Sequence, residues 1–177
     1  MTASTTKRFH GLHQGVVVSN VDPLQEGRLL VRVPEVLGNE PGIWASPLSP
    51  VAGVASGMYV VPLVNSGVWV QFLNGDPHRA VWVGFWRGGA SDVPPAARTT
   101  PPGTPQIVLA TPGQKALVIS DAPPPMGGVT LQFLGEAGPS IKITALGIEL
   151  SCGPGLASIK LEGPVVSING TSLQVVG

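Results

Sequence analysis

The last fifty residues of the chain, Gly128–Gly177, contain strand patterns but few side chains that could bury them. Four short runs alternate apolar and polar residues, the period-two pattern of a strand with one buried face: Ile141-Lys-Ile143, Ile148-Glu-Leu150, Ile159-Lys-Leu161 and Val166-Ser-Ile168. The segment has one aromatic residue, Phe133, and no helical pattern. We therefore expect other copies of the chain to bury these strands in an intertwined β-fibre.

A short repeat supports this expectation. The run Ser140-Ile-Lys-Ile returns eighteen residues later as Ser158-Ile-Lys-Leu. A unit of one or two strands cannot bury its own apolar face, so it must stack on copies of itself or on other chains. Only 11% of residues are charged, and the chain has 24 Gly and 19 Pro. So few charges predict a surface that is extensively covered by other subunits.

Several classes of function are disfavoured by composition. Ten basic and ten acidic residues cancel, so the chain has no basic field for nucleic acid or anionic lipid. The single cysteine, Cys152, excludes an intrachain disulfide and a Cys-based zinc site. The N-terminus lacks the apolar segment of a signal peptide, and the longest apolar run, Met58–Val64, contains Pro62. We expect synthesis and folding in the cytoplasm, with no membrane-spanning segment.

Aromatic residues divide the chain into parts, since all except Phe133 precede Gly88. Turn signals in the aromatic part separate five predicted strands: Leu12–Val21, Arg28–Val33, Ile43–Pro47, Val68–Leu73 and Ala80–Trp86. Five strands in about eighty residues suit a small closed barrel of the OB type. The predicted fold is all-β, with a flexible N-terminus at 1–9, an OB domain at 10–88, a Pro/Gly-rich neck at 89–127 and the fibre at 128–177.

Three groups of residues in the barrel segment could form sites. His10 and His13 lie three apart, but a strand points them to opposite sides, so we favour surface or interface roles over metal binding. The run Asn74–His78 brings an acid near an imidazole, yet it is also the pattern of a tight turn, which we favour over catalysis. The four tryptophans could stack on bases or sugars, but core or interface packing is favoured because no cationic groove accompanies them: Trp44, Trp69, Trp82 and Trp86.

The first half of the chain also resembles a known family. Five stretches carry the resemblance in order and spacing: Gly15–Pro34 (GVVVSNVDPLQEGRLLVRVP), Trp44–Pro47 (WASP), Gly67–Phe72 (GVWVQF), Asn74–Pro77 (NGDP) and Val81–Gly84 (VWVG). They resemble the OB domain of gene-V-type baseplate spike proteins of contractile-tailed phages and the matching region of VgrG proteins. The C-terminal half is similar to these proteins in character rather than in motif.

The resemblance implies a homotrimer whose C-terminal segment is a triple-stranded β-helix needle. It also implies docking beneath a trimeric baseplate hub, with a PAAR-type tip protein as a further partner. The chain has no room for the lysozyme domain of some relatives, and it lacks a C-terminal His-x-His, by which certain needles bind iron. We therefore expect no enzymatic activity, no cofactor and no metal site.

In such a needle, the apolar members of the alternating strands point to the trimer axis, while Lys, Glu, Thr and Gln point outward. The predicted trimer core is Ile141, Ile143, Ile148, Leu150, Ile159, Leu161, Val166, Ile168, Leu173 and Val175. The end of the chain, Val175-Val176-Gly177, presents apolar surface on which we expect the tip protein to dock.

The sequence thus predicts a structural central spike of a contractile injection apparatus, which is assembled into a virion baseplate or injection-particle tip. Such a spike meets the target membrane only by mechanical contact and binds no nucleic acid. The leading alternative is an OB-fold module with a trimerising β tail that binds oligosaccharide or nucleic acid. A cell-wall hydrolase is disfavoured because no catalytic constellation has the required spacing.

Overall fold

The structure, a computed structural model, describes residues 7–170 and 172–176. The chain divides into two compact units, one up to Gly88 and one from Gly89 onward. Strands dominate both units, and the one α-helix among the described residues, α1, spans only Pro34–Leu37. No helix in the described part of the chain is long and apolar enough to cross a membrane. The predicted all-β fold is confirmed.

The first unit is a closed barrel of five strands. In chain order its strands are β1 (His13–Ser19), β2 (Leu29–Arg32), β3 (Ile43–Pro47), β6 (Gly67–Phe72) and β7 (Ala80–Phe85). They close in the order β1-β2-β3-β7-β6, with antiparallel pairs throughout except for the parallel pair β3–β7. Each lies within or one residue beyond its predicted range, so the OB-type barrel is confirmed.

The barrel has its own core, because alternate residues of its strands point inward. Ten side chains form this core: Val17, Leu29, Val31, Val33, Ala45, Val68, Val70, Phe72, Ala80 and Trp82. The indole Nε1 of Trp82 donates to the carbonyl oxygen of Gly27 at 3.2 Å, which satisfies the one polar atom of this buried ring. The first unit therefore contains the packing that it needs to fold.

A small hairpin that the sequence did not predict interrupts the barrel. Strands β4 (Ala52–Gly53) and β5 (Ser56–Gly57) pair across a turn in which Ala55 has a φ of 54°. Small residues without alternation carry no strand signal, which is why the hairpin escaped prediction.

The loop between β1 and β2 is organised by one carboxylate. The side chain of Asp22 accepts hydrogen bonds from the backbone N–H groups of Leu24, Glu26 and Arg28 and from the Arg28 guanidinium, whose Nη2 lies 2.7 Å from Oδ1. These bonds, above all those from the guanidinium, hold the pKa of Asp22 well below its usual value of 3.8. The ionised carboxylate therefore stabilises the folded barrel.

The second unit is a single sheet in which each strand pairs with the next one along the chain. Eight strands form this antiparallel meander: β8 (Gln106–Ala110), β9 (Ala116–Ser120), β10 (Gly128–Gln132), β11 (Ser140–Thr144), β12 (Gly147–Ser151), β13 (Ser158–Glu162), β14 (Val165–Ile168) and β15 (Leu173–Val176). The sheet begins at Gln106, inside the segment that the sequence assigned to the neck. Strands β8 and β9 pair with each other, and β9 pairs in turn with β10.

The pairing differs from the predicted intertwined fibre in one respect. Strands β9 to β14 have both edges hydrogen-bonded to neighbours of the same chain. Tight turns such as Ala145-Leu146 and Gly163-Pro164 bring successive strands together as hairpins. The backbone hydrogen bonds that an intertwined fibre would form between chains are therefore formed within the chain.

The chain just before the sheet covers part of one face. The 3-10 helix Pro95–Arg98 places Ala96 against Ala116 and Val118 of β9, and these three residues form a small buried cluster. Gln106 Nε2 donates to the Ala97 carbonyl oxygen at 2.8 Å, which anchors the helix to β8. Strand β9 is consequently the one strand of the sheet with several buried residues on the covered face.

Removing the charge of Asp22 should destabilise the barrel in a pH-dependent manner. Because the pKa is lowered on folding, its stabilising contribution is complete above about pH 5 and is lost as pH falls through the range below the unfolded-state value near 3.8. Asp22→Asn should therefore lower the Tm at pH 7, and its difference from the unmodified chain should shrink below about pH 4. Thermal scans across pH test this, with Glu40→Gln as a control at an exposed carboxylate. An equal Tm difference at all pH values would contradict the assignment.

Gly147 should tolerate no side chain. Its φ is 153°, and an added Cβ would lie 2.0 Å from the carbonyl oxygen of Leu161 in the neighbouring strand. Gly147→Ala should lower the free energy of unfolding by about 2–3 kcal/mol. Gly163→Ala is the matched control, since Gly163 also has a positive φ, 56°, but has open space around it. That control should cost about 1 kcal/mol. Equal denaturation midpoints for the two variants would contradict this account.

Candidate functional site

The ten residues predicted for the trimer core all lie on one face of the sheet. Cross-strand partners show this directly: Ile141 lies opposite Leu150, and Leu150 lies opposite Ile159. The same register continues to the last strand, where Ile168 lies opposite Leu173. The alternation read from the sequence therefore identifies residues that share one face of the sheet along β11 to β15.

The aliphatic face extends over all eight strands, with two side chains from each strand. One row follows the register Ile107, Ile119, Val129, Ile143, Ile148, Leu161, Val166 and Val175. The other row follows Leu109, Leu117, Leu131, Ile141, Leu150, Ile159, Ile168 and Leu173. We call these rows the β-branched row and the leucine-rich row, after their commonest side chains.

No described residue of the second unit covers this face. Apart from the half-buried Leu117, every member of the two rows is exposed, from 36% for Ile168 to 59% for Val175. A contiguous surface made only of Ile, Leu and Val is far more apolar than the surface of a typical soluble monomer. The arrangement is that of a subunit interface.

The opposite face of the sheet is polar along its middle. The residues between the two rows on β10 to β14 are Thr130, Lys142, Glu149, Lys160 and Ser167. Lys160 Nζ lies 3.6 Å from Glu149 Oε2, and both side chains are partly exposed. Such a pair contributes under about 1 kcal/mol, but it keeps this face soluble and opposes a shift of register. The sheet thus has a polar face that is compatible with water and an aliphatic face that is suited to contact with another apolar surface.

Six members of the rows were absent from the predicted core: Ile107, Leu109, Leu117, Ile119, Val129 and Leu131. In β8 and β9 the intervening residues are Val108 and Val118, so the strands show continuous apolar runs without alternation. The intervening valines face the cover supplied by Ala96, which explains why both faces are apolar there. Val129 and Leu131 flank Thr130, and this alternation could have identified them.

The end of the sheet bears on the predicted docking site for a tip protein. Val175 closes the β-branched row and is 59% exposed. The backbone of Val176 pairs with Val165, and Gly177 lies outside the described residues. Strand β15 is the last in the sheet, and among the described residues no strand pairs with its outer edge.

The leucine-rich row borders an open groove of about 810 Å³. Loops 133–139 and 152–157, which connect strands on this side of the sheet, form its rim. Phe133, Pro139, Cys152 and Ala157 line the rim, above the row members Leu131, Ile141, Leu150 and Ile159. The groove is mainly apolar and holds no cluster of titratable side chains.

One histidine departs from the expectation of a surface role. His13 is buried, with 7% of its surface exposed, beside the rings of Phe9 and Phe72. Its Nδ1 lies 3.1 Å from Glu35 Oε2. Phe9, which precedes β1, packs against His13 at this end of the strand, and a strand pattern alone does not reveal such a contact. His10 is exposed, and no three His, Cys, Asp or Glu side chains within residues 7–170 and 172–176 could hold a metal ion together.

The remaining candidates have structural roles. Asn74 and Gly75 have φ values of 55° and 71°, and Asp76 Oδ1 accepts the N–H of His78, so the predicted tight turn is confirmed. Trp82 is in the core, which leaves no face for a base or sugar. Trp86 Nε1 donates to the Gly15 carbonyl oxygen at 3.1 Å. The Arg28 guanidinium lies 5.3 Å from the Trp44 ring and partly covers it.

Comparison with known families matches both units. Residues 13–86 match the Type VI secretion system/phage-baseplate injector OB domain, which covers the barrel from β1 to β7. Residues 106–174 match the Phage baseplate V C-terminal trimerisation domain, which covers the sheet from its first residue into β15. No curated protein matches the chain. The second match assigns trimerisation to the sheet that carries the exposed aliphatic rows and supports a homotrimer.

Proposed function

Because the chain belongs to the phage baseplate V family, in which an injector OB domain precedes a trimerisation domain, we propose that it is the central spike of a contractile injection apparatus. Three copies bring their sheets together around a common axis. The two aliphatic rows of each copy face this axis. The opposite face, which carries Lys142, Glu149 and Lys160, is in contact with water. The predicted trimer core is thus part of a larger apolar interior with sixteen residues per copy, two on each of eight strands.

A single observation supports this proposal best: an unbroken aliphatic face on a sheet that matches a trimerisation domain. Each strand presents its apolar pair at the same register, so the face continues along the whole stack of strands. At about 4.8 Å per strand, eight strands form a shaft segment about 34 Å long. A closed three-sided arrangement buries this face along its full length and leaves the charged residues outside.

The proposed role is mechanical and structural. Both matched domains are components of baseplates and injectors, and the spike is assembled into a virion baseplate or related particle, where it docks under a trimeric hub. A shaft in which three sheets share one apolar interior resists bending, since no strand can leave without exposing its neighbours. Such stiffness is what a spike needs to pass force to a target envelope.

The exposed end of the sheet is the proposed attachment point for a tip protein. Val175 supplies an exposed apolar side chain, and the outer edge of β15, with which no described strand pairs, supplies backbone groups, in three copies around the axis. A small PAAR-type cap would bury both, together with the C-terminal Val176 and Gly177. Covering the last strand also removes an edge on which other sheets could add.

A charge placed on the aliphatic face should disrupt the trimer. Ile168→Lys puts an ammonium among Ile159 and Leu173 at the proposed axis, where three copies would meet. Ser167→Lys is the matched control, because the adjacent residue of β14 points to the polar face. Sedimentation velocity should find Ser167→Lys as a trimer of about 54 kDa, three times 18.1 kDa, and Ile168→Lys at lower mass or aggregated. An intact trimer of Ile168→Lys with unchanged denaturant resistance would contradict the proposed axis.

A further inference from the structure

The two ends of the strands in β10 to β15 differ in shape. At one end the connections are two-residue turns, Ala145-Leu146 and Gly163-Pro164. At the other end they are longer loops at 133–139 and 152–157, and the connection that begins at Asn169. We call these the narrow edge and the wide edge of the sheet. The difference follows from the eighteen-residue repeat, in which every second connection is short.

The wide edge has two depressions beside its loops, which we call the first and second notch. The 810 Å³ groove runs along the leucine-rich row from Leu117 to Ile168, and loops 133–139 and 152–157 flank the part of it beside β11 and β12. A second depression of about 480 Å³ lies between Gly155–Ser158 and Asn169-Gly170. Phe133, Pro139, Cys152 and Ala157 make the first notch apolar. The first notch is beside strands β11 and β12, and the second is beside β13 and β14. Each of these pairs is joined by a two-residue turn at the narrow edge.

The narrow edge carries an apolar projection at the level of the first notch. Leu146 is 59% exposed at the tip of the turn that joins β11 and β12. Its backbone N–H donates to Thr144 Oγ1 at 3.2 Å, which fixes the turn. A leucine displayed on an ordered two-residue turn, and largely exposed among the described residues, is suited to inserting into an apolar groove.

Three-fold symmetry determines which edges meet. When three sheets surround an axis perpendicular to their strands, each copy presents its narrow edge to the wide edge of the next copy, because the contact is heterologous. A pure rotation about the axis also keeps equivalent strands at equal height. The β11–β12 turn of one copy therefore faces the notch between the loops that flank β11 and β12 of the next.

We infer that Leu146 of each copy seats in the groove formed by Phe133, Pro139, Cys152 and Ala157 of the neighbouring copy, so that the three corners of the shaft are closed by side-chain contacts. The inference rests on the proposed trimer with its axis perpendicular to the strands. It assigns the groove to a second copy of this chain. It also explains the alternation of short and long connections, since each corner joins a projecting turn to a notch.

A cysteine cross-link tests this contact directly. Leu146→Cys places a thiol beside the native Cys152 of the next copy. Within one chain the two positions lie at opposite ends of β12, six residues and about 20 Å apart, well beyond the 7 Å that a disulfide can span. Copper phenanthroline and oxygen take up the two electrons and two protons released by each thiol pair. A non-reducing denaturing gel should then show covalent dimers and trimers, which disappear on reduction.

Two controls make the cross-link specific. Met126→Cys places a thiol of similar exposure, 55%, at the same end of the strands, in the β9–β10 connection. It lies about two and a half strands, or about 12 Å, from the height of Cys152 and should not cross-link. Adding Cys152→Ser to Leu146→Cys should also abolish the covalent species.

Light scattering of the reduced Leu146→Cys variant distinguishes this inference from the proposed trimer. A trimer that gives no more cross-link than Met126→Cys overturns the corner contact and leaves the trimer standing. A monomer overturns the trimer itself, and the corner contact with it. As a second test, Leu146→Asp should lower the denaturation midpoint of the trimer more than Met126→Asp does. Equal midpoints would overturn the contact.

Discussion

The burial of one aliphatic face is the constraint on which the rest of the structure depends. Strands β9 to β14 pair on both edges within the chain, but the sheet leaves two rows of Ile, Leu and Val exposed. A sheet that is polar on one side and aliphatic on the other is stable in water only when a second surface covers the aliphatic side. Because the chain is neutral and poor in charge, the most economical cover is another copy of the same face.

The two units meet this constraint in different ways. The barrel encloses its own core of ten side chains, and its loop charge Asp22 and its Trp82 indole are satisfied internally. The sheet has only the small cluster of Ala96, Ala116 and Val118. We therefore expect the unfolding of the barrel to depend little on protein concentration and the unfolding of the sheet to depend on it.

Much of the fold could be predicted from period-two alternation and turn residues. In β11 to β14 polar residues separate the aliphatic ones, so the sequence predicted both the strands and the residues that share a face. In β8 and β9 the intervening Val108 and Val118 are apolar because a proline-containing helix from the same chain covers them, and a local pattern carries no information about that cover. The burial of His13 depends likewise on residues outside its own strand, Phe9, Phe72 and Glu35.

The pairing of strands was harder to infer than their existence. Alternation identifies which side chains share a face, but it does not say whether the backbone partner belongs to the same chain. Two-residue turns at Ala145-Leu146 and Gly163-Pro164 favour hairpins, so successive strands of one chain pair as a meander. The turns then acquire a second role at the corners of the proposed shaft.

The molar mass of the unmodified chain in solution tests the central claim most directly. Light scattering over a wide range of dilution should give about 54 kDa, three copies of 18.1 kDa, with no dissociation at low concentration. A soluble, fully folded species of 18.1 kDa would contradict the account, because the aliphatic face would then be stable in water without a partner.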